Sequence, residues 1–207
     1  MKDHHDTQDY GRILLASAEN VRRALREVDL IKIGLEEMIE ARLAETMDLL
    51  TDGWEKAMDE GDNCITDFYW DCSLKKKLKG KPHGGYIGLN IRICGDDDEG
   101  ESSRPDWPWL DQACLMVCWH PTSHKNEAGP EDFEPDVEMS RALITRLGGG
   151  LWSYGSDPAA YYFFVLPLGV LTGREAFKEF CVDPLLALHQ EPDPRGTNHL
   201  AQVPALE

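Results

Sequence analysis

The fold is decided between residues 85 and 120, which read GYIGLNIRICGDDDEGESSRPDWPWLDQACLMVCWH. In its first part, apolar and other residues alternate with a period of two, the pattern of a half-buried strand. The face predicted to be buried contains Ile87, Leu89, Ile91 and Ile93. The face opposite it contains Tyr86, Asn90 and Arg92. Residues 86–93 are therefore predicted to form a strand with one face on a core.

A second strand is predicted over residues 113–119, in the last part of the same stretch. Leu115, Val117 and Trp119 fall on one face, and Cys114 and Cys118 fall on the other. Between the two strands lie the run DDDEGE at residues 96–101 and then Ser102 to Trp109, which include two prolines. The sequence therefore predicts a hairpin whose connection is strongly acidic.

The charge of the chain is negative and unevenly distributed. The 207 residues carry a formal net charge of −17. Residues 94–140 hold 13 acids and 2 bases and account for −11 of that charge. Such a field repels nucleic acid and anionic membranes and attracts basic partners. The sequence has no run of about 18 apolar residues, so we predict no membrane span. It also has no apolar secretory segment near Met1, so we expect a cytoplasmic protein.

The N-terminal part has a helical pattern. After a polar stretch at residues 1–9, predicted to be a flexible arm, apolar residues recur at intervals of four and three: Leu14, Ala18, Val21, Leu25 and Val28. The pattern resumes at Ile31 and continues to Leu50, which allows one long helix or two with a bend near Gly34. Such a stripe packs on the chain's own sheet or pairs with a second copy, so self-association through this helix is an alternative.

The remaining patterns complete an α+β layer. We predict one α+β domain over residues 10–189 and a disordered tail over residues 190–207, which contain three prolines. The domain has a long N-terminal helical segment, a mainly antiparallel sheet of about four strands, a helix between the third and fourth strands, and a C-terminal helix. The strands are predicted at residues 64–74, 86–93, 113–119 and 160–166, and the later helices at residues 136–147 and 172–189.

Two patterns that suggest metal binding do not have metal geometry. Cys114 and Cys118 lie about 13 Å apart on an extended strand, too far for one tetrahedral zinc. The acidic run fails the calcium-loop pattern, since the sixth position from Asp96 is Glu101 and the twelfth is Trp107. We therefore expect no metal site and no cofactor. Five lysines at residues 75–81 are expected to form an exposed turn. We expect no direct nucleic-acid binding there, because the surrounding charge is negative.

The predicted element order is similar to the core of the PD-(D/E)xK nuclease-like superfamily. That resemblance implies acids on two central strands, but the corresponding position reads Asn90-x-Arg92, and Pro105-Asp106 lies in a loop. The resemblance therefore implies a degenerate site. The alternative function is a metal-dependent hydrolase or a degenerate relative of these nucleases, in which Glu40, Asp67 and Asp71 would meet beside Lys75 or Arg92.

The function favoured by the charge pattern is that of an acidic, non-enzymatic binding or inhibitory protein. We expect the acidic hairpin loop to engage a basic protein surface, with tryptophans as aromatic anchors. The predicted partner-binding residues are Asp96, Asp97, Asp98, Glu99, Glu101, Asp106, Trp107 and Trp109. No catalytic residue is predicted for this function.

Overall fold

A computed structural model describes residues 4–47, 49–57, 67–76, 82–93, 109, 112–120, 144–155, 160–191, 193–195 and 198–206. For residues 4–9, 56–57, 67, 69, 71, 76 and 82–84 it describes the backbone alone. The elements are α1 (His4–Thr46), β1 (Leu49–Ala57), β2 (Asp67–Lys76), β3 (Pro82–Arg92), β4 (Cys114–His120), β5 (Ile144–Gly148), β6 (Leu151–Tyr154), β7 (Tyr161–Pro167), a short 3-10 turn (Leu168–Val170), α2 (Arg174–Phe177), a π-helical turn (Lys178–Val182) and α3 (Asp183–Gln190).

The strands form one antiparallel sheet in the order β1-β2-β3-β4-β7-β6-β5. This corrects the predicted fold class in two respects. The sheet has seven strands where about four were predicted, and in the described part of the chain the helices lie only at the two ends. The predicted order of helices and strands is therefore wrong, and the comparison with the nuclease-like core, which depended on that order, no longer applies. The class itself is α+β, as predicted.

One face of the sheet is covered by helices. Alternate residues of β2, β3, β4 and β7 join the buried side of α1 and of the C-terminal helices in the main core. From α1 this core takes Val28, Leu35, Met38, Ile39 and Leu43. Arg42 of α1 donates hydrogen bonds of 3.1 and 3.2 Å to Asp183 at the start of α3. The two helical layers are thus fixed to each other as well as to the sheet.

The opposite face of the sheet has a smaller apolar cluster. Its buried members are Trp109, Cys114, Met116, Cys118, Trp152, Phe163 and Val165. Apart from Trp109, which precedes β4 in the chain, these residues come from β4, β6 and β7, so β4 is covered on both of its faces. All seven residues of β4 are buried, as expected for the central strand of a sheet with two cores.

The beginning of β1 was predicted from the sequence to belong to the long N-terminal helical segment. Helix α1 runs without a break through Asp29 and Gly34 and ends at Thr46. Leu49 and Leu50 continued the helical spacing in the sequence, but they pair with Lys76 and Lys75 of β2. Gly53 has φ of +95° where the register shifts between Thr51 and Trp54, so it forms a bulge that a helix pattern does not reveal.

The predicted helix over residues 136–147 is also wrong where the structure describes it. Ile144–Gly148 is strand β5, and it pairs with β6 across a tight turn. Gly149 and Gly150 have φ of +59° and +79°, the conformation of a two-residue hairpin turn. A glycine run can end a helix or connect two strands. Here it connects β5 to β6, and β6 is held in the sheet by its pairing with β7. The remainder of the prediction, residues 136–143, lies outside the described residues.

The C-terminal segment was predicted to be disordered. In the structure Leu200 is buried in the main core, and Val203 packs against that core. The Leu206 amide donates a 2.8 Å hydrogen bond to the Val165 carbonyl, and the Trp152 indole donates one of 3.3 Å to the Leu206 carbonyl. The apolar residues between the prolines therefore anchor residues 198–206 on the sheet.

Candidate functional site

The acidic connection, defined here as residues 94–113, leaves and re-enters the sheet at one end of two paired strands. Arg92, the last residue of β3, is the register partner of Cys114, the first residue of β4. The pairing continues without a shift to Tyr86 and His120. The described strands therefore hold the two ends of the connection side by side, as a hairpin requires.

Most of the predicted partner-binding residues lie outside the described residues. These are Asp96, Asp97, Asp98, Glu99, Glu101, Asp106 and Trp107. The structure therefore says nothing about how they are arranged relative to one another.

Trp109 is described, and its side chain is fully buried in the cluster on the second face. Its ring centroid lies 4.9 Å from that of Trp152 and 5.7 Å from that of Phe163, with the rings nearly perpendicular in both pairs. Edge-to-face pairs of this kind stabilise a core beyond their buried area. A tryptophan in this position is not a surface anchor for a partner, contrary to the role expected from the sequence. Its packing anchors the C-terminal end of the acidic connection on the sheet.

The second face also contains buried polar side chains. Asn90 and Arg92 of β3 and His120 of β4 are each at most 5 % exposed. The His120 ring lies 4.9 Å from the Tyr161 ring. The register partner of Arg92 on β2 is Asp67, and a buried guanidinium is stable only when a carboxylate or carbonyl oxygens face it. Arg92 lies at the end of β3 from which the acidic connection leaves, whereas His120 lies at the opposite end of the β3–β4 pair, so these side chains do not form one site.

The cysteines of β4 are core residues. Cys114 and Cys118 are buried in the second cluster, and both are free thiols. Across the sheet, Cys114 is in register with Arg92 and Pro167, and Cys118 with Gly88 and Phe163. Among the residues with described side chains, no group of three His, Cys, Asp or Glu residues could hold a metal ion.

The residues expected for a hydrolase are not brought together where the structure describes them. The Glu40 carboxylate accepts hydrogen bonds from Thr51 Oγ1 at 3.0 Å and Trp54 Nε1 at 2.9 Å, which join α1 to β1. The Lys75 ammonium pairs with Asp52. Arg92 alternates with core residue Ile91, so it lies on the face of the sheet opposite α1 and Glu40. The side chains of Asp67 and Asp71 are not among those described.

The most exposed apolar surface in the described structure lies on α1. We define the free segment as residues 10–27, which precede Val28, the first residue of α1 in the core. Tyr10, Ile13, Leu14, Leu15 and Val21 are between 43 and 64 % exposed. A helix of 43 residues is about 65 Å long, whereas a seven-stranded sheet is only about 29 Å wide. Helix α1 therefore extends beyond the sheet that it covers.

The sequence stripe had included Leu14, Ala18 and Val21, but spacing alone does not say which part of a stripe is covered. It also omitted Tyr10, which lies on the stripe, and Ile13, which lies at its edge, because the helix begins before residue 10. Leu30 and Ile33 are exposed on the side of α1 away from the core. The helical spacing leaves both of them outside the stripe, in agreement with their exposure.

Comparison with known proteins does not add to this picture, since no family model, no curated protein and no solved structure matches the chain. Within the described residues, no helix has both the length and the apolar character needed to cross a membrane.

Proposed function

We propose that this chain is a non-enzymatic binding protein that engages a basic surface on another protein through its acidic connection. The observation that carries the proposal is the charge of residues 94–113, which contain seven acids and one base. A charge density of this kind attracts a basic surface, raises the rate of association and disfavours acidic partners. Its pull decreases with salt, because exposed charges are screened over about 10 Å at 0.1 M ionic strength.

The frame beneath the connection supports the proposal. β3 and β4 lie near the middle of the sheet, and Trp109 packs against β6 and β7 next to the point where the connection rejoins β4. A charged loop on a fixed base loses less conformational freedom on binding than one on a frayed edge. The binding residues proposed on this base are Asp96, Asp97, Asp98, Glu99, Glu101, Asp106 and Trp107.

The test compares two charge-neutralised variants that differ only in where the charge is removed. In the first, Asp96, Asp97 and Asp98 become Asn, and Glu99 and Glu101 become Gln. In the matched control, five exposed glutamates elsewhere become Gln: Glu27, Glu37, Glu55, Glu175 and Glu179. Both variants have the same net charge, so a difference between them reports the location of the charge.

Binding is measured as fluorescence anisotropy of a labelled polylysine peptide at low salt, and as partners recovered from native lysate and identified by mass spectrometry. We expect the connection variant to lose at least about tenfold in affinity, equivalent to about 1.4 kcal/mol, and the control to lose much less. Equal losses in the two variants, or an unchanged set of recovered partners, would contradict the proposal.

A further inference from the structure

The free segment of α1 presents the same face that the rest of the helix buries. Leu14, Val21, Val28 and Leu35 are spaced seven residues apart, which keeps them on one face with a drift of only about 20° per step. Val28 and Leu35 are buried in the main core, whereas Leu14 and Val21 are 52 and 43 % exposed. The apolar stripe thus extends about 27 Å from Val28 toward the N-terminus, beyond the part of α1 that packs in the main core.

This exposed part of the stripe is free of charge. At 100° per residue, Tyr10, Leu14, Ser17, Ala18, Val21, Ala24 and Leu25 share the face of Val28. Arg12, Glu19, Arg23 and Arg26 lie on the back of the helix, and Arg22 and Glu27 lie on its two flanks, outside the stripe. A helix that pairs through the stripe therefore buries no ionised group, which would otherwise oppose the contact.

The free segment has a net charge of the sign opposite to the rest of the molecule. Residues 10–27 contain four arginines and two glutamates, a net charge of +2. The chain as a whole carries −17, so the rest of it carries −19. At this segment, another copy of the same acidic chain meets electrostatic attraction in place of repulsion.

We propose that the free segment pairs with that of a second copy, as an antiparallel two-helix contact with two-fold symmetry. The apolar stripe of one copy then contacts the same stripe of the other copy, as two-fold symmetry requires. The antiparallel direction places the two acidic bodies at opposite ends of the helix pair and brings each +2 segment toward the partner's body. A parallel pair would instead place the two −19 bodies side by side.

The proposed contact is small. The free segment has 18 residues, of which about seven lie on the stripe, whereas a standard stable interface uses about 20–30 residues a side. We therefore expect a dissociation constant on the order of micromolar, with monomer and dimer exchanging over the accessible concentration range.

The test is sedimentation equilibrium of the full chain over a concentration series from roughly 1 µM to 1 mM, which spans that expected constant. We expect the weight-average mass to rise from one chain to two. Leu14→Asp combined with Val21→Asp should weaken association by about 100-fold, because it places two carboxylates in the apolar contact. The matched control is Leu15→Asp combined with Leu30→Asp, two residues 60 and 65 % exposed on the other side of α1, which should change association by no more than about threefold, allowing for a weak effect of surface charge.

Both variants should retain the thermal unfolding of the wild type at low concentration, because none of the four side chains is buried in the folded chain. Small-angle scattering of the dimer tests its direction, since an antiparallel pair gives two separated bodies and a parallel pair gives one compact particle. A chain that is monomeric at every concentration, that binds lipid vesicles as a monomer, or that dimerises equally well with both double variants would overturn the proposal. None of these results bears on the acidic connection, which polylysine binding tests separately.

Discussion

At the scale of single residues, Gly85 shows how closely the C-terminal helix approaches the sheet. Its φ is +122°, and a Cβ atom built there would lie 3.0 Å from both the His120 carbonyl oxygen and the His189 ring. His189, in the last turn of α3, is buried. A side chain at position 85 would therefore be strained by its own backbone and would also force the helix and strand apart.

We expect Gly85→Ala to lower the free energy of unfolding by about 1–3 kcal/mol, measured by urea denaturation. Gly169→Ala is the control, because its Cβ would meet nothing within 4 Å and its backbone lacks a positive φ. That variant should stay within about 0.5 kcal/mol of the wild type. Equal effects of the two substitutions would show that the approach of His189 to Gly85 is not a tight one.

Glu36 predicts a pH dependence of stability. Burial against the sheet raises the pKa of its carboxyl above the usual 4.5, and the nearby Lys32 only partly opposes this. Lys32 Nζ lies 3.6 Å from the Glu36 carboxylate and 5.7 Å from the centre of the Trp70 ring. A carboxyl whose pKa is raised in the folded state favours folding when protonated. Its favourable contribution is full below the unfolded-state pKa and is lost as the pH rises through the folded-state pKa.

Glu36→Gln removes the ionisable group and keeps the shape. We expect it to raise stability at pH 7 by a few tenths of a kcal/mol, since the group is partly exposed and screened, and to change stability little near pH 3. The measurement is the melting temperature of both proteins at the two pH values. A difference that is the same at both pH values would mean that ionisation of Glu36 is not its cause.

At the scale of elements, local patterns identified the strands that are buried on at least one face. β3, β4 and β7 have strong apolar patterns, so the sequence places them to within a few residues. The predictions for the residues of β1 and β5 were wrong because the apolar patterns there are short. Whether these residues form strands depends on their pairing with β2 and β6. Helix periodicity through Leu43 and Leu50 and a glycine run after residue 147 are compatible with either element. Only the neighbouring strand decides between them.

The candidate site was less predictable than the fold. Six of its eight predicted residues are acids, which follow from the charge of one loop, a property visible in composition alone. The other two are tryptophans, of which Trp109 was assigned to the surface because prolines and acids surround it in sequence. Its burial depends on Trp152 and Phe163, which are more than 40 residues away. A partner 40 residues distant leaves no local signal.

The two ends of the chain are expected to contribute very differently to stability. Removing residues 1–26 should leave the melting temperature at low concentration within about 2 °C of the wild type, because the removed residues from Tyr10 onward bury no side chain in the core. Removing residues 198–207 deletes buried Leu200 and the Leu206 contacts with Val165 and Trp152. We expect that loss to lower stability by about 2–5 kcal/mol. If the N-terminal deletion were the more damaging of the two, the free segment would have to pack on the body of its own chain.

At the scale of the whole molecule, the sheet order places β4 at the centre, with three strands on either side and a core on each face. Opening β4 to solvent breaks pairing with both β3 and β7 and exposes both clusters, so its amides should exchange with deuterium only through global unfolding. The free segment is the opposite extreme. None of its side chains is buried, and helices without tertiary packing are marginal in water.

Hydrogen exchange measured by mass spectrometry at several protein concentrations therefore separates the two parts of the molecule. We expect exchange in β4 to be slow and independent of concentration, because both of its cores lie within one chain. Exchange over residues 10–27 should be fast in dilute solution and should slow as the concentration rises, because a second helix would then cover Leu14 and Val21. The Leu14→Asp, Val21→Asp protein should lose this concentration dependence while β4 remains protected. Protection of residues 10–27 that is already complete in dilute solution would mean that the free segment is stabilised within its own chain, and a second copy would no longer be needed to explain the stripe.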